Sequence, residues 1–438
     1  MFNTEDREVR RGLLSGNFGL EKEMLRITED GYLSHSPHPF PENEPCITRD
    51  FCENQTEINT PIFKGAGEVV NDLYAHTRLI QGRLRQLSPR EYLWPFSNPP
   101  YIRAEEDIPV AQFHGMKLQK TRYREYLSNR YGRYKMTFSG IHFNYSFAGD
   151  LLRRSFEVET GLHVVKRQEP PAYRAYENGI YLALAEKLVI YGWIMVTLTA
   201  ASPLMDSSFF ETGRTGGDQF SGFASVRCSE LGYWNTFAPV FDYSSIETYA
   251  RCIQQYVDDG WIMAPSELYY PIRLKPRGEN TLENLRQGGV NHIELRMIDL
   301  NPLRKEGIDV RDVQFAQLLL SWLAATPRQS YSTADQIMAN ANYKQAAHYD
   351  LDGSKIVLPG GYVGTLREAT LYVLERMERF YRRLHSEETP FDEAFAVLDY
   401  QRKKITHSAD YRYAEIIRRQ FSGGFVTKGL TLCANYSA

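Results

Sequence analysis

The sequence has no long hydrophobic run that would cross a membrane. Its most apolar stretch, residues 181–204, carries Glu186 and Lys187 near its start and therefore predicts a buried helix. The N-terminal segment MFNTEDREVRRGLL is charged and lacks the apolar centre of a secretory signal. We therefore expect neither a membrane partner nor export, and we predict a cytoplasmic location.

Cysteine is also scarce. The chain has 5 cysteines, an odd number without the spacing of metal ligands: Cys46, Cys52, Cys228, Cys252 and Cys433. In a chain without an export signal, such cysteines are predicted to be reduced thiols and not a disulfide framework.

Neither sign of charge is in surplus, because 51 Lys plus Arg stand against 54 Asp plus Glu, for a net charge of −3. This balance gives no electrostatic reason to expect nucleic acid as a partner, and no feature suggests an obligate protein partner. Repeats and long Pro/Gly/Ser linkers are absent as well. We predict a single domain over 1–438, with a sheet-rich core at 1–305 and a mainly helical part at 306–438.

The order of the predicted elements favours an α+β fold built on an antiparallel sheet. Strands are predicted at 18–27, 56–60, 135–147, 264–277 and 289–301. Helices are predicted at 69–87, 121–131, 171–201, 310–325, 366–384, 391–398 and 411–421. A polar, Gly-rich loop is predicted at 206–221.

The stretch FGLEKEMLRI at 18–27 places Glu21 and Glu23 two residues apart in an apolar run. On a strand, residues i and i+2 point to the same face, with Cα atoms about 7 Å apart, whereas on a helix they diverge. A strand therefore directs both carboxylates at one site, and their oxygens suit Mg²⁺. Taken alone, the pair also fits a half-exposed strand with two solvated glutamates.

Further polar residues extend this arrangement. His142 and Asn144 are again two apart and share a strand face, although a lone histidine is more often a satisfied core or surface residue. Asp50 and Glu57 are too far apart to share a face, so Asp50 is predicted to reach in from the preceding loop. Glu267 is predicted to begin a strand.

A row of cations follows Glu267 at alternate positions, namely Arg273, Lys275 and Arg277. The row either faces phosphate or forms an exposed basic edge that discourages edge-to-edge strand pairing. Arg296 alternates with Glu294 in the same way, and it fits either a site or a structural ion pair with that glutamate.

These residues together indicate a metal site for phosphoryl transfer. The candidate ligands are Glu21, Glu23, Asp50, Glu57, His142 and Glu267. So many carboxylates collect only around cations, and oxygen-rich ligation favours Mg²⁺ or Mn²⁺ over Zn²⁺. Divalent ions beside Arg and Lys are the equipment for phosphoryl transfer from ATP. The chain has no G-x-x-x-x-G-K-[ST] motif, so it is not a P-loop enzyme.

Seven motifs follow one another between residues 19 and 302: GLEKEMLRI, ITRDFCENQTEINTP, YREYLSNRYG, SGIHFNYSF, SVRCSELGY, ELYYPIRLKPR and IELRMIDLNP. In this order they resemble the bacterial glutamate–cysteine ligases, also called γ-glutamylcysteine synthetases. The first motif also resembles the ligase half of bifunctional glutathione-synthesising enzymes. The resemblance implies a catalytic domain with a curved antiparallel sheet, akin to glutamine synthetase. It also implies that ATP is a co-substrate.

The implied reaction joins the γ-carboxylate of L-glutamate to the amine of L-cysteine through a γ-glutamyl phosphate, the first step of glutathione biosynthesis. The resemblance divides the metal ligands into two groups. One or two Mg²⁺ ions would be held by Glu21, Asp50 and Glu57, and another by Glu23, His142 and Glu267.

The resemblance also assigns the substrate contacts. Around cysteine it implies Phe51, Tyr123 and Tyr233, with Arg124 near the cysteine carboxylate. Arg227 would contact glutamate or the transferring phosphate. The catalytic cations would be Arg227, Arg273, Lys275 and Arg277, with Lys275 and Arg277 binding ATP. Asn144 and Arg296 are further substrate-binding candidates.

Two departures from the family concern the amine. Met136 stands where some members carry a glutamine in the cysteine pocket, and the segment between Tyr233 and Glu267 is shorter than in the long bacterial enzymes. Two alternatives stay open: a γ-glutamyl ligase for another amine, and a non-catalytic metal- or nucleotide-binding relative that regulates a partner. The presence of all six presumed ligands argues against the second.

Overall fold

The computed structural model describes residues 1–164, 170–210 and 217–437. Its strands are β1 (Gly16–Thr28), β2 (Ile47–Arg49), β3 (Gln55–Asn59), β4 (Glu91–Leu93), β5 (Gly140–Phe147), β6 (Met205–Asp206), β7 (Asp218–Gln219), β8 (Ile272–Pro276), β9 (Val290–Asp299), β10 (Lys355–Leu358) and β11 (Tyr362–Thr365). Its α-helices are α1 (Arg7–Gly12), α2 (Ala66–Leu84), α3 (Leu118–Tyr131), α4 (Gly149–Thr160), α5 (Pro171–Tyr191), α6 (Trp193–Thr199), α7 (Ile246–Asp258), α8 (Leu282–Gly288), α9 (Val310–Ala325), α10 (Thr333–Ala346), α11 (Leu366–Leu384), α12 (Asp392–Thr406), α13 (Ser408–Tyr411), α14 (Tyr413–Phe421) and α15 (Phe425–Ser437).

The central element is β1, which pairs with three other strands. β3 lies antiparallel on one side and β5 on the other, and β4 pairs with its C-terminal end. The full order is β2-β3-β1-β5-β9-β8, with antiparallel neighbours throughout. The expected α+β fold on an antiparallel sheet is confirmed, as are the strands predicted at 18–27, 56–60 and 289–301.

The pairing register decides which side chains meet on each face of the sheet. Glu21 lies opposite His142, and Glu23 lies opposite Glu57. Because strand side chains alternate between faces, these four residues point to the same side, which we call the site face. Leu20 and its neighbours at even positions point to the opposite face, which the helices cover.

The helix-covered face belongs to an apolar cluster that continues into the C-terminal helices. Leu20 of β1 and Phe143 of β5 lie in the same buried cluster as Leu319 of α9 and Met377 of α11. The helix predicted at 391–398 is part of the longer α12. The helices of the C-terminal part therefore stabilise the sheet by burying apolar side chains, each worth about 1.5–3 kcal/mol. That the whole chain forms one domain stays a prediction.

The long helix predicted at 171–201 is divided at Gly192 into α5 and α6. The hydroxyl of Tyr343 donates a hydrogen bond of 2.7 Å to the carbonyl of Leu188 at this point. A Cβ on residue 192 would lie 2.0 Å from that hydroxyl oxygen, so only glycine leaves room for it. A side chain inserted beside the helical ladder is a known cause of sharp bends.

No single helix in the described part of the chain is long and apolar enough to span a membrane. Helices α5 and α6 pass that test only when they are taken together, and a bend of 57° separates them.

The strand predicted at 264–277 is shorter than expected. Only β8, from Ile272, is extended, and Pro265–Glu267 form a 3₁₀ turn before it. The prediction that Glu267 begins the strand is therefore wrong. Pro265 opens the turn, and Pro271 has no N–H to donate to a strand ladder, so pairing starts only after it.

Two other predicted segments differ in their limits. The strand predicted at 135–147 begins at Gly140, because Tyr134–Thr137 form a 3₁₀ turn. In the predicted loop 206–221, the ends pair as the short strands β6 and β7. The middle of that loop, 211–216, lies outside the described residues.

A buried ion pair attaches the loop before β3 to the sheet. Arg26 of β1 and Glu91 of β4 are 0% and 3% exposed, with an N–O distance of 2.8 Å. The same guanidinium donates to the Ser36 hydroxyl at 2.7 Å and to the Glu53 carbonyl at 3.0 Å. Arg26 thereby holds both ends of the segment that carries Asp50.

We expect Arg26→Met to lower the free energy of unfolding by about 3–5 kcal/mol, because Glu91 would remain buried without its cation. Urea unfolding followed by circular dichroism measures the loss. The control is Lys403→Met, which breaks an exposed pair with Asp399 (side chains 41% and 52% exposed). That change should cost no more than about 0.5 kcal/mol. Equal losses in the two variants would contradict a special role for the buried pair.

Candidate active site

The site face borders a cavity of about 320 Å³. Most of the predicted site residues line it: Glu21, Glu23, Asp50, Phe51, Glu57, Tyr123, Arg124, His142, Arg227, Tyr233, Lys275 and Arg296. Further lining residues that were not predicted as site residues are Lys135, Phe138, Tyr269, Tyr270 and Glu294. The sheet and its neighbouring loops thus bring widely separated motifs to one cavity.

His142 lies at the centre of the carboxylates on the site face. Its Nδ1 is 2.9 Å from Glu21 Oε2 and 3.6 Å from Glu294 Oε1, and its Nε2 is 3.7 Å from Glu23 Oε1. One ligand atom from each of Glu21, His142 and Glu294 lies within 4.8 Å of the other two. Asn144 does not line the cavity but donates to Glu21 Oε1 at 3.0 Å, so it supports that carboxylate.

Glu294 was missed as a site residue, although it lies in the quoted motif IELRMIDLNP. Its carboxylate is 0% exposed and accepts from Arg296 Nη1 at 3.1 Å. Lys275 Nζ lies 3.3 Å from its other oxygen. Its alternation with Arg296 in the sequence was the available signal. In the structure, Glu294 both lines the cavity and forms an ion pair with Arg296, so the two interpretations of that alternation hold together.

Glu267 is not brought to this group of ligands. Its carboxylate is 0% exposed and does not line the cavity. Oε1 accepts from the Tyr131 hydroxyl at 2.7 Å and lies 3.1 Å from Arg130 Nε. Oε2 accepts from the Met263 amide at 2.6 Å. The position expected for Glu267 beside His142 is taken by Glu294, because β8 starts too late to carry Glu267.

The cation row also separates. Lys275 lines the cavity, whereas the Arg277 guanidinium lies 2.9 Å from Glu177 of α5. Arg277 follows the last residue of β8 and so leaves the strand alternation. Arg273 remains on the strand but donates to the backbone carbonyls of Ser266, at 2.9 Å, and Leu268. Arg273 and Arg277 are therefore not placed with Lys275 in the cavity.

The carboxyl groups differ in how their charge is balanced. Burial and the nearby charge of Asp50 raise the pKa of Glu23, and they raise that of Glu57 well above its usual range. Burial also acts on Glu294, but the cations Arg296 and Lys275 outweigh it and hold its pKa well below the usual range. The group around Glu57 therefore has excess negative charge, which is the environment that a divalent cation fits.

Aromatic rings form the other side of the cavity. We call Phe51, Tyr123, Tyr233 and Tyr269 the aromatic wall. The ring centroids of Tyr233 and Tyr269 are 3.8 Å apart. The buried hydroxyls of Tyr123 and Tyr233 both lie beside the Tyr269 hydroxyl, and burial raises the pKa of both. Both tyrosines line the cavity.

Arg124 borders the aromatic wall, since it lines the same cavity. Its Nε donates to the backbone carbonyl of Asp50, and its Nη1 donates to that of Lys120 at 3.1 Å. The guanidinium also lies over the Phe113 ring, 4.9 Å from the centroid. These contacts hold one cation at the cavity edge and leave its remaining N–H groups for an anion.

Arg227 reaches the cavity across Gly140. Its Nη2 donates to the carbonyl of Arg296 at 2.8 Å, and a Cβ on residue 140 would lie 2.3 Å from the guanidinium carbon. The Gly140 amide in turn donates to Glu23 at 3.1 Å. A glycine inside the predicted strand 135–147 indicates either a close approach or a bulge, and at Gly140 the structure shows the close approach.

The sequence profile described as "Glutamate-cysteine ligase" matches residues 2–261 and 238–346. The chain belongs to the glutamate–cysteine ligase family. Among its curated relatives, the glutathione biosynthesis bifunctional protein GshAB of Listeria welshimeri is 32% identical over 442 residues, which cover 99% of this chain and 55% of the relative. GshAB of Clostridium perfringens is 29% identical over 444 residues, with coverages of 99% and 55%. The chain thus spans about half the length of the curated relatives it matches.

Two solved structures are similar. The bifunctional glutathione synthetase of Pasteurella multocida has a TM-score of 0.79 at 26% identity, covering 100% of this chain and 54% of that one. The glutamate–cysteine ligase of Francisella tularensis, solved in complex with AMP, has a TM-score of 0.82 at 21% identity. It covers 97% of this chain and 88% of that one and shares the fold.

For the ligase reaction that the resemblance implies, we expect Gly140→Ala to lower kcat/KM about 100-fold, because the added Cβ displaces the Arg227 guanidinium from the cavity. The melting temperature should change little, since only the end of a flexible side chain must move. The control is Gly19→Ala on the same face, where an added Cβ would meet Asn144 at an ordinary 3.5 Å. Full activity of Gly140→Ala, measured as steady-state ADP release, would contradict a role for Arg227.

We expect Mg²⁺ to raise the melting temperature of the wild-type protein, because an ion that binds only the folded state stabilises it. Glu23→Gln should reduce this rise. In chelator, the variant should melt at the wild-type temperature or above, because the substitution removes a carboxylate that Asp50 repels. The exposed Glu29, just beyond β1, provides the control Glu29→Gln. A markedly lower melting temperature of Glu23→Gln in chelator would contradict the view that the Glu23 charge destabilises the metal-free protein.

Proposed function

We propose that the protein is an ATP-dependent ligase that joins the γ-carboxylate of L-glutamate to the amine of L-cysteine, the first step of glutathione biosynthesis. One observation carries the proposal. A single cavity has a carboxylate–imidazole group beside fixed cations on the site face and the aromatic wall opposite. Family membership supports the same activity. The small-molecule substrates would be L-glutamate, L-cysteine and ATP.

The residues present fit Mg²⁺, with Mn²⁺ as a substitute. Glu21, His142 and Glu294 would hold one ion, and the excess charge of Glu23, Asp50 and Glu57 fits one or more others. We thus propose Glu294 as a ligand in place of Glu267. When bound, the ions would neutralise phosphate oxygens and align them for transfer.

The chain's own cations would complete the charge balance. In the first step, a glutamate γ-carboxylate oxygen bonds to the γ-phosphorus of ATP, and ADP leaves. Lys275, Arg227 and Arg296 line the cavity where this negative charge develops, and they would stabilise it. In the second step, the free amine attacks the acyl carbon and phosphate leaves. No protein nucleophile is required.

The aromatic wall would hold the amine substrate. Sulfur–aromatic contacts are worth about 0.3–1.5 kcal/mol, which suits a thiol. Replacing the thiol by a methyl or a hydroxyl group changes affinity by only about 1–3 kcal/mol. We therefore expect 2-aminobutyrate to be a poorer but usable substrate and serine to be worse. Met136, 8% exposed, also lines the cavity and favours a less polar amine in the alternative γ-glutamyl ligase.

A panel of amino acids in an assay of glutamate-dependent ADP release tests the substrate. The proposal expects the highest kcat/KM with cysteine. A faster reaction with a bulkier amine would promote the alternative ligase. No stimulation by any amine would favour a non-catalytic relative.

Arg124→Ala should raise the KM for the amine at least tenfold, because the amine's carboxylate loses a cation worth about 1.4–3 kcal/mol. The KM for glutamate should change much less. Arg122→Ala removes an exposed cation from the same helix, α3, and should change neither KM. Parallel increases in both KM values of Arg124→Ala would rule out this placement of the amine.

A further inference from the structure

Glu267 is a buried carboxylate and a predicted metal ligand that does not lie with Glu21, His142 and Glu294. It lies in the 3₁₀ turn before β8, and its side chain is 0% exposed. Both oxygens already have donors: Tyr131 and Arg130 of α3 on Oε1, and the Met263 amide on Oε2. A carboxylate whose lone pairs are occupied by an arginine, a hydroxyl and an amide has little capacity left for a metal ion.

The donors of Glu267 support the aromatic wall from behind. The Tyr131 ring meets Tyr233 edge-on at a centroid distance of 5.3 Å and meets Tyr269 in the same way at 5.9 Å. Tyr131 does not line the cavity, whereas Tyr233 and Tyr269 do. The hydroxyl bond to Glu267 therefore sets the plane of a ring against which two wall residues rest.

A second link joins the backbone of the same turn to the segment that carries Tyr233. The Asn235 amide nitrogen donates to the Glu267 carbonyl at 3.0 Å, and its oxygen accepts from the Tyr269 amide at 2.7 Å. Helix α3, the segment around Tyr233 and the approach to β8 thus converge on Glu267. Each of these three elements contributes a ring to the aromatic wall.

We propose that Glu267 is a positioning residue that fixes the aromatic wall for the amine substrate and is not a metal ligand. The proposal rests on the proposed function for its substrate. It assigns the metal chemistry and the amine selectivity to different carboxylates. Glu294 serves the metal on the site face, and Glu267 serves the aromatic wall opposite.

The test compares Glu267→Gln with Glu294→Gln, two substitutions of the same size and charge. Glu267→Gln keeps one acceptor oxygen but turns an NH₂ group toward Met263 or toward Arg130 and Tyr131. The hydrogen bonds that converge on this side chain are therefore weakened. Three quantities are measured for each full-length variant: Mn²⁺ affinity by electron paramagnetic resonance, the KM for cysteine and the KM for glutamate.

For Glu267→Gln we expect the KM for cysteine to rise about tenfold or more, since a small displacement of a binding wall is costly. The Mn²⁺ affinity and the KM for glutamate should stay within about threefold of wild type, since the proposed metal ligands and glutamate contacts lie on the site face. Glu294→Gln should instead weaken Mn²⁺ binding. Loss of Mn²⁺ affinity in Glu267→Gln equal to that in Glu294→Gln would overturn the proposal.

A second variant shows whether the effect of Glu267→Gln is due to misfolding. A second measurement tests the role of Glu267 even if the proposed function fails. Tyr131→Phe keeps the Glu267–Arg130 pair and removes only one hydroxyl, and it too should raise the KM for cysteine selectively. Amide hydrogen exchange at 230–236 and 263–269 should speed up in Glu267→Gln and not in Glu294→Gln.

If the wild type uses no amine, the proposed function fails. The exchange and Mn²⁺ data then decide about Glu267 alone, and unchanged exchange overturns its positioning role.

Discussion

Negative charge concentrated on one face of a buried sheet is the constraint on which the rest of the structure depends. The register of β1 between β3 and β5 places Glu21 and Glu23 beside Glu57 and His142. Removing several carboxylates from water is costly unless cations or protons accompany them. The fixed cations Lys275 and Arg296 balance part of this charge, and the proposed metal ions would balance the rest.

The carboxylates balanced by fixed cations and those without such balance lie on different halves of the sheet. On the β9–β8 side, Lys275 and Arg296 already balance Glu294, and its pKa falls. On the β3 side, no lysine or arginine in the described part of the chain forms an ion pair with Glu23 or Glu57, and burial together with the charge of Asp50 raises their pKa values. Under the proposed function, the ions held by Glu23, Asp50 and Glu57 would lie toward β3, and the ion held by Glu21, His142 and Glu294 would lie between them and the cations near β8. Anionic oxygens would approach those cations, so the phosphoryl group would lie between two oppositely charged regions.

The sequence predicts what depends on local periodicity. Glu21 and Glu23 were placed correctly on one face because the apolar run around them fixes a strand, and strand side chains alternate. Glu267 and Arg277 were misplaced because prolines shorten β8 at both ends, which takes both residues off the strand. Glu294 was overlooked because alternation with an arginine is equally typical of an ion pair. The break in α5–α6 depends on a distant tyrosine hydroxyl, and Gly192 is its one local signal.

The two sides of the cavity differ in what holds them in place. On the site face, strand ladders fix each Cα, so the backbone of the candidate ligands cannot shift without disrupting the ladders. The aromatic wall rests on α3 and on irregular segments that meet through a few side-chain hydrogen bonds, among them those of Asn235. We therefore expect substitutions there to alter the wall without disturbing the sheet. Under the proposed function, preference among amines could therefore change while the phosphoryl chemistry is retained, because the fold would constrain the amine less than it constrains the metal ions.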